Sequence, residues 1–284
     1  MATLREIKRR ITSIKSTQQI TKAMKMVSAA KLRKAQERIV AARPYYKSLS
    51  GIVNDLMFQL KDYSNPLFEK REVVRLGIVT VTADRGLCGS FNTNIIKKTI
   101  EVIQNHPEAE IELIPVGRKS WEFFKKRDYH IKSSRQNIFQ RLDFSVVPGL
   151  VKEMTESFLN KEIDQWILIY NEFKSPVQQN IIAETFLPLE LTAEESESVE
   201  YIFEPSKEEI LTYLIPRFLE TKIWKMLLES NAAEHGARMT AMENATENAA
   251  EMIATLTLSY NRARQAAITT EIAEIVGGAE ALKG

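Results

Sequence analysis

Few residues of this 284-residue chain have the types and spacing that catalysis would need. The most suggestive segment is 84–90, Asp-Arg-Gly-Leu-Cys-Gly-Ser, between a predicted strand and a predicted helix. It lacks the G-x-x-x-x-G-K-[ST] and G-x-G-x-x-G spacings of phosphate-binding loops, so a tight turn is the better interpretation. Cys88 could be a reactive thiol at a helix N-terminus, but we interpret it as a small residue that fills the turn.

The remaining candidate groups are scattered. His106, His130 and His235 have no Cys or carboxylate at metal-ligand spacing, and no carboxylate is paired with a nucleophile or base in a recognisable arrangement. A single Cys excludes an internal disulfide framework. We therefore predict no catalytic residue, no metal site and no cofactor in this chain.

The net charge of +2 is an average over unequal parts. Residues 1–50 hold 13 Lys and Arg against Glu6 and Glu37, a balance of +11, so the other 234 residues carry −9. Four interpretations of the basic segment are open: a solvated helix face, a nucleic-acid-binding arm, a transit peptide, or a surface that contacts an acidic protein. No run approaches the ~18 apolar residues of a membrane span, and no apolar signal segment is present. We expect no direct membrane insertion.

The elements that would position these residues are dominated by two long helices. Residues 3–43 contain no Gly or Pro, and apolar residues recur at three- and four-residue steps from Leu4 to Ile14. Strict heptad continuation would put Gln18, Thr21, Lys25 and Ser28 in the seam. We therefore expect the apolar stripe to drift around the helix, and to continue through Ile20, Met24, Val27 and Ala30.

A second long helix begins after a capping box formed by Ser206 and Glu209. Pro216 should kink it early, but residues 217–276 have no further Pro and only one Gly, Gly236. Sixty residues at 1.5 Å rise would give about 90 Å of helix, too long for a compact chain of this size. The two long helices are therefore predicted to pair as an antiparallel coil.

Between them, apolar β-rich runs alternate with helical ones, which predicts an α/β domain with a largely parallel sheet. The predicted strands are 73–81, 111–116, 165–170 and 181–187, and the predicted helices are 93–105, 119–127 and 147–160. The acidic stretch 190–200 is interpreted as a solvated loop and edge strand. The predicted domains are 1–64, 73–203 and 206–284.

A specific register follows if Leu4 pairs near Leu258, which places Ile7 near Thr255, Ile11 near Glu251 and Ile14 near Asn248. The last ~25 residues then have no internal partner, although they are apolar on most sides. A helix of that kind must be buried in another protein.

Three segments, in order along almost the full chain, resemble the gamma subunit of F-type ATP synthases. They are residues 7–27 (IKRRITSIKSTQQITKAMKMV), 84–89 (DRGLCG) and 261–279 (NRARQAAITTEIAEIVGGA). The resemblance implies an antiparallel two-helix coiled coil from the N- and C-terminal segments with a central Rossmann-like α/β domain. The chloroplast version carries an inserted segment with a regulatory Cys pair, and here Cys88 stands alone, so a bacterial chain is the simplest fit.

The function implied by the resemblance is a central rotor shaft of a proton-translocating ATP synthase. The shaft would couple rotation of the membrane ring to conformational cycling in a ring of α and β subunits that holds the catalytic residues. The implied partners are α and β, the epsilon subunit and, through the foot domain, the membrane c-ring, at the cytoplasmic face of the bacterial inner membrane. The alternatives are a basic coiled-coil protein that binds nucleic acid through residues 1–50, and an α/β enzyme that uses the loop at 86–89.

The same resemblance implies two groups of functional residues. Rotor–stator contacts are expected at Met24 and Lys25, in a neck segment that faces an acidic loop of β, and at Arg238, Gln265 and Thr269, which would make polar contacts with β-subunit loops. An apolar bearing tip, seated in a sleeve of the ring, is expected at Ala266, Ala267, Ile268, Ile272, Ile275 and Val276.

Overall fold

The computed structural model describes residues 3–59, 65–190, 204 and 206–281. The long helices are α1, Leu4–Gln59, and α5, Lys207–Ala281, with Pro44 and Pro216 inside continuous helix. At the start of α5 the Glu209 backbone N–H donates to Ser206 Oγ at 3.2 Å, as the predicted capping box requires. At 1.5 Å per residue, the 75 residues of α5 correspond to about 110 Å of helix.

The remaining described elements form the α/β domain. In chain order they are β1 (Arg75–Val81), α2 (Phe91–Gln104), β2 (Glu110–Val116), α3 (Arg118–Lys125), α4 (Val146–Leu159), β3 (Gln165–Phe173) and β4 (Gln179–Leu187). Short 3-10 turns lie at Pro66–Phe68 and Ile138–Gln140. The predicted acidic loop at 190–200 lies almost wholly outside the described residues.

The four strands form one mixed sheet in the order β2-β1-β3-β4. β1 pairs in parallel with β2 and with β3, while β4 runs antiparallel to β3. Only residues 174–178 connect β3 to β4, and so short a connection can form a hairpin but not a parallel crossover. The predicted α/β class with a largely parallel, Rossmann-like sheet and two long flanking helices is confirmed, with an antiparallel edge strand added.

An apolar cluster packs α2 and α3 against the sheet. Its fully or nearly buried members are Leu76, Ile78, Ile95, Ile96, Val102, Leu113, Phe124 and Ile169. They come from β1, α2, β2, α3 and β3, so that α2 and α3 are fixed on the sheet by non-polar burial.

The chain divides into two compact units, which are residues 1–27 with 239–284, and residues 28–238. The smaller unit consists of the paired ends of α1 and α5. The larger contains the α/β domain together with the remaining parts of both helices. The predicted three-part division follows the order of elements along the chain, and it stays a prediction about domains.

Candidate functional site

The seam of the smaller unit follows a strict heptad and does not drift. The heptad positions are all buried or half-buried: on α1 they are Leu4, Ile7, Ile11, Ile14, Gln18, Thr21 and Lys25, and on α5 they are Met242, Thr246, Ala249, Ile253, Leu256, Tyr260 and Ala263. Ser28, the next heptad position, is also buried. The expected stripe through Ile20, Met24, Val27 and Ala30 is wrong, since Ile20 and Val27 are 60% and 57% exposed, Ala30 is exposed and only Met24 is half-buried.

Two polar contacts across the seam explain why the heptad is kept. The hydroxyls of Thr21 and Thr246 are hydrogen-bonded to each other at 2.7 Å, and Thr246 Oγ1 also lies 2.7 Å from Met242 O. One turn further along α1, Lys25 forms an ion pair with Glu243. Polar side chains can occupy the seam because they find partners there.

These contacts also fix the register. In an antiparallel pair that matches Thr21 with Thr246, Ile7 lies opposite Tyr260 and Ile14 opposite Ile253. The predicted register, with Leu4 near Leu258, is therefore wrong by about five residues. The observed alignment puts large apolar side chains directly into the seam, whereas the predicted one relied on their neighbours to fill it.

Beyond the seam, α5 continues without a coil partner among the described residues. Leu4, the first residue of α1, falls opposite Ala263, so the segment from Gln265 onward extends past it. All six predicted tip residues are exposed, and the large ones among them include Ile275 at 66%. Gln265 and Thr269 are exposed as well, and Thr269 Oγ1 donates to Gln265 O at 2.9 Å. The unpartnered apolar surface expected at the tip is present.

The other predicted contact residues are in less open positions. Met24 and Lys25 are half-buried, and Lys25 keeps part of its surface accessible despite its pairing with Glu243. Arg238 is only 9% exposed. Its guanidinium is held within the chain, 2.6 Å from Glu234 and bonded to the carbonyl oxygens of Arg85 and Gly86 at 3.3 and 3.2 Å.

The turn that Arg238 binds is organised by Asp84, a residue whose role the sequence analysis missed. The buried Asp84 carboxylate accepts from the backbone N–H groups of Arg118, Asn137 and Phe139 at 3.0, 2.7 and 3.1 Å. An Asp at the start of a turn that contains Gly was the available signal, because the side chains of such residues commonly accept backbone hydrogen bonds. The Asp84 carboxylate thus joins the turn to two neighbouring loops.

Cys88 is buried in the same turn, as a small residue that fills it. Burial raises the pKa of its thiol, so that the reactive thiolate form is disfavoured. Asn92 links the parts of the turn, because its Nδ2 lies 3.2 Å from Cys88 Sγ and its Oδ1 accepts from the Ala83 N–H at 2.9 Å.

A buried polar cluster on α5 faces this turn and was also missed. Burial raises the pKa of Glu234, while the neighbouring Arg238 and Lys31 act in the opposite direction. Burial lowers the pKa of His235 to about 4, with further lowering from the charges of Arg238 and Lys31. His235 is therefore neutral at physiological pH.

The part of the chain that the structure describes contains no group of three or more His, Cys, Asp or Glu side chains placed to hold a metal ion. None of the helices in this described part combines the length and apolar character that crossing a membrane requires.

Comparisons with known proteins agree with this architecture. Residues 3–282 match the family described as ATP synthase. The chain is 49% identical to the ATP synthase gamma chain of Prosthecochloris aestuarii and 50% identical to that of Geobacter metallireducens, and each match covers all of both chains.

Solved structures with the same fold include two mitochondrial ATP synthase chains. One is from the central stalk and c-ring structure of Tetrahymena thermophila, with TM-score 0.63, 28% identity and coverage of 80% of this chain and 99% of that one. The other is from Euglena gracilis, with TM-score 0.68, 19% identity and coverage of 98% and 94%. The coil, the mixed sheet and full-length identity near 50% to bacterial relatives lead to one conclusion: this chain belongs to the ATP synthase gamma chain family.

Proposed function

We propose that this gamma chain works as a mechanical shaft and carries out no catalysis itself. The observation that carries the proposal is the end of α5, which extends past its coil partner with exposed apolar side chains on most sides. Such a surface is unfavourable in water and needs a protein sleeve. The catalytic sites would belong to the α and β subunits of the complex, whose conformations change as different faces of the coil reach them.

The comparisons offer no support for the alternative in which residues 1–50 bind nucleic acid, because both the family match and the relatives are ATP synthase proteins. The basic charge of this segment has another use. Attraction of a basic helix to acidic loops of the ring falls off smoothly with distance, so it can guide the shaft without locking it at one angle.

Rotor–stator contacts are proposed at four of the predicted residues. Gln265 and Thr269 lie one turn apart on an exposed face of α5, where their side chains can contact loops of a β subunit. Met24 and Lys25 lie on the α1 side of the coil, where the Lys25 ammonium, despite its pairing with Glu243, retains exposed surface for an acidic loop. For Arg238, its burial favours a contact within the chain over one with a partner.

The remaining partners are assigned by analogy with the matched assemblies. The α/β domain would form the foot that joins the membrane c-ring and binds the epsilon subunit. The chain would then be a peripheral component at the cytoplasmic face of the bacterial inner membrane and require no cofactor. Rotation of the ring by proton flow would turn the foot and, with it, the coil.

Polar substitutions at the tip test the shaft proposal. In the complex reconstituted with α and β subunits, Ile272→Asn with Ile275→Asn should lower the yield of assembled complex or its ATP-driven rotation by at least about threefold, because the sleeve would have to bury two amides. The control is Glu271→Gln with Glu274→Gln, which alters the same turns without changing the apolar surface and should leave both quantities unchanged. Full assembly and rotation in the asparagine variant would contradict a bearing role.

A further inference from the structure

One short segment of α5, residues 229–238, makes three contacts at the carboxyl edge of the sheet, two with the β3–β4 hairpin and one with the β1–α2 turn. At its start, the buried Glu229 carboxylate accepts from the backbone N–H of Phe173, the last residue of β3, at 3.2 Å. This bond ties the helix to the end of a central strand.

The second contact is a close approach of backbones. Gly236 packs against the β3–β4 hairpin, and a Cβ at this position would lie 3.1 Å from Pro176 Cα and 3.3 Å from the Phe173 ring. With a Cβ at this position, the hairpin or the helix would have to shift by a few tenths of an ångström. The absence of a side chain is therefore what lets α5 lie this close.

The third contact is the bridge from Arg238 to the β1–α2 turn. One guanidinium nitrogen is bonded to Glu234 Oε1, and the other donates to the carbonyl oxygens of Arg85 and Gly86. The turn is itself held by Asp84, which accepts three backbone N–H groups from neighbouring loops. A guanidinium fixed on both sides makes a directional link between helix and domain.

Directional links differ in kind from the apolar packing along the earlier part of α5. That packing involves the buried residues Leu211, Ile215, Leu219, Ile223 and Leu227. Apolar burial is strong but non-directional, so by itself it resists separation better than it resists sliding or turning of a helix about its axis. Hydrogen bonds to fixed backbone atoms at the two ends of a three-turn segment oppose such turning.

We propose that Glu229, Gly236 and Arg238 form a joint that fixes the angular position of α5 on the α/β domain. The proposal rests on the proposed shaft function, since a joint of this kind matters only if torque passes from the domain to the helix. Arg238 is then a positioning residue, acting through the 84–89 turn, and the segment keeps rotation of the domain and of the helix in phase.

The test uses the complete membrane-bound complex and measures ATP-driven ion pumping per ATP hydrolysed. Arg238→Met with Glu234→Gln removes the bridge and its buried charges together, and should lower the ratio at least about threefold while ATP hydrolysis stays within twofold of wild type. Arg217→Met with Glu220→Gln removes a partly exposed ion pair of the same helix, with 3.0 Å between Arg217 Nη1 and Glu220 Oε2, and should leave the ratio unchanged. Arg238→Lys, which keeps one charged donor, should recover part of the loss.

A second variant disturbs the joint without changing any charge. Gly236→Ala should lower the same ratio because its Cβ meets Pro176, even though alanine is the better helix former. Gly149→Ala, in α4 with no heavy atom within 4 Å of the added Cβ, is the matched control. If the Arg238 variant does not assemble, the pumping ratio of the Gly236→Ala complex decides whether the joint exists.

Two results would overturn the joint. One is a wild-type ratio in both the Arg238 and Gly236 variants. The other is a parallel fall of pumping and hydrolysis at constant ratio in the Arg238 variant, which would place Arg238 at the catalytic ring instead. If the wild-type complex itself shows no coupled pumping, the shaft function fails, and that result is distinguishable from failure of the joint alone.

Discussion

At the scale of single residues, the most consequential side chain is the carboxylate of Asp84. It satisfies three backbone N–H groups that come from two other loops, and it supports the turn that Arg238 binds. A neutral amide in its place can accept fewer of these bonds, and its NH₂ group would face donors.

Asp84→Asn is therefore expected to lower the free energy of unfolding of the chain by about 2 kcal/mol, as loss of buried charged hydrogen bonds does. Urea denaturation followed by circular dichroism measures this. Asp143→Asn is a matched control, because Asp143 is exposed and its Oδ1 accepts from Ser145 N–H at 2.9 Å, so less than 1 kcal/mol is expected there. Equal effects for the two variants would refute the special role of Asp84.

The lowered pKa of His235 predicts that the stability of the chain depends on pH. Its pKa is lowered from an ordinary 6.5 to about 4 by burial and by the charges of Arg238 and Lys31. As the pH falls, the His235 imidazole is therefore protonated near pH 6.5 in the unfolded chain but only near pH 4 in the folded chain. The free energy of unfolding is therefore unaffected by this group above pH 6.5, and it decreases progressively as the pH falls toward 4, by up to about 3 kcal/mol.

Glu234 acts in the opposite direction, because its raised pKa favours the folded state at low pH and this contribution is lost as the pH rises through the folded pKa. A comparison of wild type with His235→Gln separates the two groups. The free energy of unfolding should decrease more between pH 7 and pH 5 for wild type than for the variant. Parallel falls would show that His235 does not titrate as its burial requires.

At the scale of elements, the sequence predicted the strands and helices of the α/β domain to within about three residues of their observed bounds. Apolar periodicity sufficed there, since each element buries one face against the same core. It did not suffice for the coil. The heptad continues through Gln18, Thr21 and Lys25, and those residues count as seam positions only once Thr246 and Glu243 are known to face them.

The exposed tip of α5 could be predicted from the sequence, but the buried polar cluster around Arg238 could not. The exposed tip could be found from composition and length, because an apolar helix without a partner shows in one segment alone. The buried cluster around Arg238 could not, since it depends on residues about 150 positions apart in the chain. Long-range pairing of polar groups leaves no periodic signal.

The observed coil register predicts which engineered cysteine pair can form a disulfide. The hydrogen bond between the hydroxyls of Thr21 and Thr246 places their side chains within reach of a disulfide, so Thr21→Cys with Thr246→Cys should cross-link on mild oxidation. Ile7→Cys with Thr255→Cys, which would face each other only in the register predicted from sequence, should stay reduced. Electrophoretic mobility with and without reductant distinguishes the two pairs. Cross-linking of the second pair instead of the first would reverse the assignment.

At the scale of the whole molecule, the near-neutral charge conceals a basic first 50 residues and an acidic remainder. Together with family membership, an unpartnered apolar tip and the buried Arg238 bridge, this distribution describes a chain built to turn against other proteins. In the function that we propose, its residues provide stiffness and contact, and the chemistry of ATP belongs to partner chains.

The most direct test is a single-molecule measurement of rotation of the chain within the complex. A bead attached at Lys97→Cys, an exposed position on α2, reports the motion of the α/β domain when the α and β ring is fixed to a surface, and buried Cys88 should not compete for the label. We expect unidirectional rotation of the bead that begins when ATP is added and stops when it is exhausted. Steady ATP hydrolysis with a bead that only fluctuates about one angle would contradict the shaft.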